Sequence, residues 1–170
     1  MLVSHAMANS LHQRRHLERL RHGGFTLVEL MVTLAVLVVL LIVAVPSFDG
    51  VIRQQRARAA VSDLQTTFIL ARSEAIKRNA NIAIQPKVAA TGWTSGWTVL
   101  AGAVTLYDQA AYSGVTITPS SGNATVLTYA NSGRTTANAQ VRFSVQAGDV
   151  RRCVIVGVSG TPSSTNQPCP

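Results

Sequence analysis

A run of 16 residues, Leu30–Val45, is apolar apart from Thr33, whereas the chain beyond Pro46 is ordinary and polar. That asymmetry describes one membrane segment joined to a soluble head, and it makes the overall hydrophobic fraction of 47% a poor guide to either part. The basic residues Arg14, Arg15, Arg19 and Arg21 precede the run. A basic section followed by an apolar one invites comparison with a secretory signal peptide. Ala44-Val45-Pro46 offers no clean small-x-small cleavage site, however, and Pro46 sits where backbone freedom is needed. A retained anchor over residues 25–45 fits better. The arginines then favour a cytoplasmic N-terminus and an extracytoplasmic head.

Glu29 lies at the start of this run. An isolated carboxylate in hydrocarbon costs several kcal/mol, so it needs a charge partner or must mark the interfacial end of the span. Pro46 removes an amide donor and crowds the preceding turn, so it can kink or open the helix there. Beyond it Ala57, Ala60, Val61, Leu64, Phe68, Ala71 and Ala75 recur at three- and four-residue spacing. They predict an amphipathic helix over 46–79 that continues from the anchor into the head.

After Asn79 the periodicity changes. Strands are expected at Asn81–Gln85, Trp97–Val104, Val115–Thr118, Thr125–Tyr129, Val141–Val145 and Arg151–Val158. Turn signals separate them, among them Pro86, Gly92, Gly96, Pro119 and Ser121-Gly122-Asn123. The expected fold class is α+β: a long N-terminal transmembrane and amphipathic helix packed on a small antiparallel β-sheet head, residues 80–170. Trp93 and Trp97 are read as core or rim residues of that head, in preference to stacking platforms for nucleic acid.

All four histidines precede Phe25, so a chain starting there holds none, which weakens metal and histidine acid–base chemistry. No GxSxG, SxxK, phosphate-binding GKS/T loop or tight metal-ligand cluster is present, so no enzyme, cofactor or metal is expected. Cys153 and Cys169 are 16 residues apart, unlike a CxxC pair. In an oxidising compartment they can form one disulfide; in a cytoplasmic head they would be two free thiols.

The segment Gly23-Gly24-Phe25-Thr26-Leu27-Val28-Glu29 leads directly into the apolar run. Here the chain resembles the type IV prepilin family, and the head narrows the resemblance to the GspH/FimT group. The matching head segments are Ala71–Asn79, Gly96-Trp97-Thr98-Val99, Gly133-Arg134 and Arg152-Cys153-Val154-Ile155-Val156. The resemblance implies a leader over 1–24, cut between Gly24 and Phe25 by prepilin peptidase, and N-methylation of Phe25. The Phe25 ammonium, on the same or a neighbouring subunit, would then partner Glu29. Pro46 falls where pilins often carry a proline.

It further implies a bacterial inner-membrane subunit with a periplasmic head, assembled with other pilins or pseudopilins by an inner-membrane platform. Two machines remain open, a type IV pilus and a type II secretion pseudopilus. Some members of the group bind DNA, and Arg134, Arg142, Arg151 and Arg152 would form a phosphate-facing patch if the fold brought them together. The Gly-Arg-x-Arg tail of DNA-binding relatives is matched only by Gly160-Thr161-Pro162-Ser163, without either arginine.

Overall fold

The computed structural model describes residues 24–121 and 125–170, with the backbone alone described at 43–47 and 120–121. Most of the expected leader, and the turn expected at 122–123, lie outside the described residues. The single described α-helix, α1 (Leu27–Arg78), continues past Pro46. The chain divides into two compact units between Ile42 and Val43, each with its own organisation.

In the first unit the helix begins with a cap. Thr26 Oγ1 accepts from the Glu29 backbone N–H at 3.2 Å, and the Leu30 N–H donates to the Thr26 carbonyl at 3.1 Å. A threonine three residues ahead of a glutamate is a capping-box pattern, which satisfies a donor the helix cannot use internally. Glu29 also sits in the first turn, where the helix dipole favours a carboxylate.

In the second unit the predicted stripe is the buried face. Ala57, Ala60, Val61, Leu64, Phe68, Ala71 and Ala75 all enter the core. The helix stops at Asn79, whose φ of 51° is left-handed. The Asn79 N–H then donates to Ile76 O, and Ala80 N–H to Ala75 O, closing the last carbonyls in a Schellman arrangement. Asn131 Nδ2 donates to Asn79 Oδ1 at 3.1 Å and holds a head loop to this end.

The head contains eight described strands where six were expected, and two sheets where one was. They are β1 (Ile82–Val88), β2 (Gly92–Ala101), β3 (Val104–Ala110), β4 (Thr116–Ser121), β5 (Leu127–Tyr129), β6 (Val141–Ala147), β7 (Val150–Val156) and β8 (Pro162–Thr165). One antiparallel sheet runs β3-β2-β1-β5 and the other β4-β6-β7-β8. The strand expected at Trp97–Val104 is really the end of β2, and a turn at Gly102-Ala103 starts β3. The Ser/Thr-rich tail contributes β8, which has almost no apolar signal.

Pro86 and Pro119 lie within strands instead of ending them. β5 pairs with β1 only through Ile84, so the missing Pro86 donor leaves no gap on that side. Pro119 sits at a register shift between β4 and β6.

Between the helix and the sheets the core is aromatic. Phe68 lies 5.3 Å from Phe143, Trp93 4.7 Å from Phe143 and 6.4 Å from Trp97, measured between ring centroids. Trp97 Nε1 donates to buried Thr67 Oγ1 at 3.0 Å, which fastens the first sheet to the helix. Thr94 joins the sheets: its hydroxyl accepts from Ile117 N–H at 3.0 Å and donates to Ile117 O at 3.3 Å. Both tryptophans are therefore core residues.

Candidate assembly surface

In the first unit, every large apolar side chain from Phe25 to Ile42 is exposed, Phe25 by 75%. Exposing so much contiguous apolar surface to water is unfavourable, so the segment demands a cover of lipid or protein. Among the described residues no helix is long and apolar enough to cross a membrane. The described part of the apolar run, Leu30–Ile42, would rise about 20 Å against a hydrocarbon core of about 30 Å. The span expected over 25–45 thus depends in part on residues 43–45, whose side chains lie outside the description.

Gly24 and Phe25 precede the cap, and Gly24 is exposed. Glu29 is exposed one turn further on, and its own N–H is held by Thr26. Sequence reasoning treated Glu29 as a charge alone and missed the Thr26 cap, although the T-x-x-E spacing was there to be read.

Cys153 and Cys169 form a disulfide, with Cα atoms 4.9 Å apart. The register pairs Ser144 with Cys153 and Gln146 with Arg151, on the face opposite the inward Val141, Phe143, Val145 and Ala147. The bond therefore ties the chain end across the outer face of the second sheet. Reduction is expected to lower head stability by about 3 kcal/mol, the loop-closure value for this separation. Urea unfolding with and without reductant measures it, and non-reducing peptide mapping should recover both cysteines in one linked pair. A change below about 0.5 kcal/mol would mean that β8 and its contacts hold the tail without the bond.

The four arginines expected to share a patch fall in two places. Arg134 follows Gly133, which packs against Arg72 and Ile76 near the helix end. Arg151 and Arg152 lie beside Gln54 and Arg58, and Arg58 and Arg72 are about 21 Å apart along the helix. Arg142 shares the outer face with Arg151 and donates to the Pro170 carbonyl at 3.4 Å. Arg152 is on the inward face, opposite Val145, and donates to Asn166 Oδ1. The second sheet thus gathers three of the arginines and leaves Arg134 apart.

The head's carboxylates are largely committed. Tyr112 donates to Asp63, whose carboxyl burial pushes up. The hydrogen bond from Arg78 holds Glu74 below its usual range, with Lys77 adding to it. Lys87 pairs with Asp108. Arg53 Nε lies 3.2 Å from Asp149 Oδ1, an ion pair without hydrogen-bond alignment. Among the described residues no group of three His, Cys, Asp or Glu could hold a metal ion.

Tyr129 is fully buried and donates to the Gly160 carbonyl at 3.2 Å. Gly160 has φ +83°, and a Cβ there would collide with the Gly133 carbonyl, so this junction requires glycine. Burial pushes the Tyr129 phenol well above its ordinary value, and Arg72 only partly opposes this. Above a pH of about 10 the unfolded chain loses that proton while the folded chain keeps it. The stabilisation is whole below pH 10 and is lost as pH rises from there. Thermal melts of Tyr129→Phe are expected to show an alkaline decline shallower by up to about 1.4 kcal/mol per pH unit. Equal slopes for the two proteins would reject the assignment.

Residues 60–160 match the family model of Type II transport protein GspH, and residues 19–45 match the prokaryotic N-terminal methylation motif. No curated protein matches the chain. Among solved structures, the Pseudomonas aeruginosa (strain PAO1) type IV minor pilin FimU is similar in two crystal forms, at 22% identity in both. One has a TM-score of 0.58 and covers 66% of this chain and 90% of that one; the other has 0.56, with 64% and 91%. The minor pseudopilin EpsH from the Type 2 Secretion System of Vibrio cholerae is similar at 17% identity and a TM-score of 0.49, covering 65% of this chain and 96% of that one. The likeness to FimU is one of fold.

Proposed function

The chain belongs to the GspH family of type II transport proteins, and on that premise we propose that it is a minor pilin, a structural subunit that helps initiate or assemble a type IV pilus. The observation that carries this reading is the junction. Gly24-Phe25 and Glu29 adjoin an apolar helix that no described residue of its own compact unit covers. Such a helix rests in a bilayer until force from an assembly platform draws it out, and other pilin helices then take the place of lipid. In hydrocarbon, packing and the satisfaction of polar groups replace the water-driven force.

Prepilin peptidase would cut between Gly24 and Phe25, freeing the ammonium that Glu29 pairs with during transfer. The subunit would wait in the inner membrane as a single pass, N-terminus cytoplasmic and head periplasmic. Pro46 would let the helix adjust where membrane segment and head stalk meet. The work is mechanical and not catalytic.

The description of the family as type II transport proteins favours a second reading, an H-type pseudopilin supporting protein export. Deletion followed by parallel assays of twitching, transformation and protein secretion distinguishes the two. Loss of secretion with intact twitching would select the pseudopilin. Intact-mass analysis should find methylated Phe25 at the N-terminus, and an exported chain retaining residues 1–24 would sink both readings. DNA is not part of the proposal, because Arg134 stands apart from the other three arginines.

A further inference from the structure

β8 pairs with β7 only from Cys153 onward, so among the described residues the opening residues of β7 have no strand partner on that side. The chain turns away after Thr165 through Asn166 and Pro168, and Cys169 is bonded back to Cys153. This leaves a groove of about 410 Å³, walled by Gln54 and Arg58 of the helix, Arg151 and Arg152 of β7, and Asn166 and Pro168 of the tail. Gln54 and Arg58 share a helix face by their four-residue spacing.

The groove is rich in unused donors. Among the described residues Arg58 and Arg151 have no hydrogen-bond or ion-pair partner. Arg152 reaches Asn166 through Nη1, while its Nε is shut off from solvent without an acceptor. The one acid at the rim, Asp149, is occupied by Arg53. Arg151 and Arg152 leave β7 on opposite faces, and both border the groove at the open edge of the strand, across from Arg58. A guanidinium matches a carboxylate, which two parallel N–H donors of an arginine can grip.

We infer that this groove, built by Arg58, Arg151 and Arg152 and walled by the disulfide-pinned tail, receives an acidic side chain from a neighbouring, non-identical subunit. A second copy is a poor source. Residues 43–170 carry 11 Lys or Arg and 5 Asp or Glu, a net charge of 11 − 5 = +6. Two heads with that surplus repel, and four of the five acids, Asp63, Glu74, Asp108 and Asp149, are already paired at home, which leaves Asp49 alone among the described residues of the head. The occupant's identity as a neighbouring subunit rests on the filament reading; the anion site itself does not.

The full chain in uncharged detergent is titrated calorimetrically at low and near-physiological salt with hexaglutamate, inorganic phosphate and a single-stranded oligonucleotide. Hexaglutamate is expected to bind, more weakly as salt rises. Its affinity should fall at least tenfold in Arg58→Gln/Arg151→Gln, with the melting temperature unchanged. Cys153→Ser/Cys169→Ser should weaken it several-fold, about threefold or more, because the tail wall is released. No hexaglutamate binding at low salt, or binding unchanged in the arginine pair, overturns the site. Phosphate binding alone, or tighter oligonucleotide binding through the same arginines, overturns the carboxylate assignment. In cells, Arg58→Glu/Arg151→Glu is expected to be cleaved before Phe25 yet to be about tenfold depleted from sheared filaments. Normal incorporation would overturn the neighbour contact and leave the filament role, judged by processing and deletion, standing.

Discussion

Trp97→Ala is expected to lower head stability by about 3–5 kcal/mol, enough to remove a large part of a typical domain's 5–15 kcal/mol. The side chain is fully buried in β2, faces the helix, and lies 6.4 Å from Trp93 between ring centroids. Truncation leaves a cavity the size of an indole and strips Thr67 of the donor that bonds it at 3.0 Å. Thr67 is itself buried, so its loss adds about 1–3 kcal/mol of uncompensated desolvation. Trp97→Phe separates the two effects, since it keeps most of the ring volume and removes only the donor. It should cost about 1–2 kcal/mol. Urea unfolding followed by circular dichroism, on the full chain in detergent, measures both. An alanine variant within about 1 kcal/mol of the parent would show that the helix–sheet seam does not depend on this residue.

The helix side of that seam was legible from the sequence, and the sheet side much less so. Seven apolar residues at three- and four-residue spacing predicted the buried face of α1, and all seven are buried. Helix periodicity is local, so it survives without knowledge of partners. The strands were blurred where special backbone residues lie inside them. Gly92 and Gly96 were read as turns but belong to β2, and both have positive φ. At Gly96 any Cβ would collide with the Gln109 carbonyl of neighbouring β3, so this glycine marks close backbone approach within a sheet.

β8 went unseen because its residues, Pro162–Thr165, are polar or half-exposed and owe their conformation to pairing with β7. The junction at Gly24-Phe25 and Glu29 was visible because its parts are contiguous. The arginine groove was not, because it joins residues 54–58 to residues 151–168, and only the fold brings them together.

Glu29→Gln is expected to leave Phe25 processed and methylated while reducing the subunit's recovery in sheared filaments at least tenfold. The argument turns on separating two roles that one residue holds. At the start of α1, Glu29 is the third helical residue after the Thr26 cap, and its N–H bonds Thr26 Oγ1 at 3.2 Å. Glutamine serves a capping box as glutamate does, so the local helix start changes by only about 0.3–1 kcal/mol through the lost dipole interaction. The proposed pairing with a Phe25 ammonium is different, because it needs the full charge. In hydrocarbon an unmatched ammonium costs several kcal/mol, and even 1.4 kcal/mol is a factor of ten in an equilibrium. Thr26→Ala is the converse probe: it removes the cap's side chain at a cost of about 1 kcal/mol and leaves the carboxylate in place. Quantitative blotting of filament and membrane fractions, with Phe25 methylation checked by mass, reads all three proteins. The expected order of incorporation is parent, then Thr26→Ala, then Glu29→Gln far below both. If Glu29→Gln assembles like the parent while Thr26→Ala fails, the conformation of the helix end governs transfer and the charge pair does not.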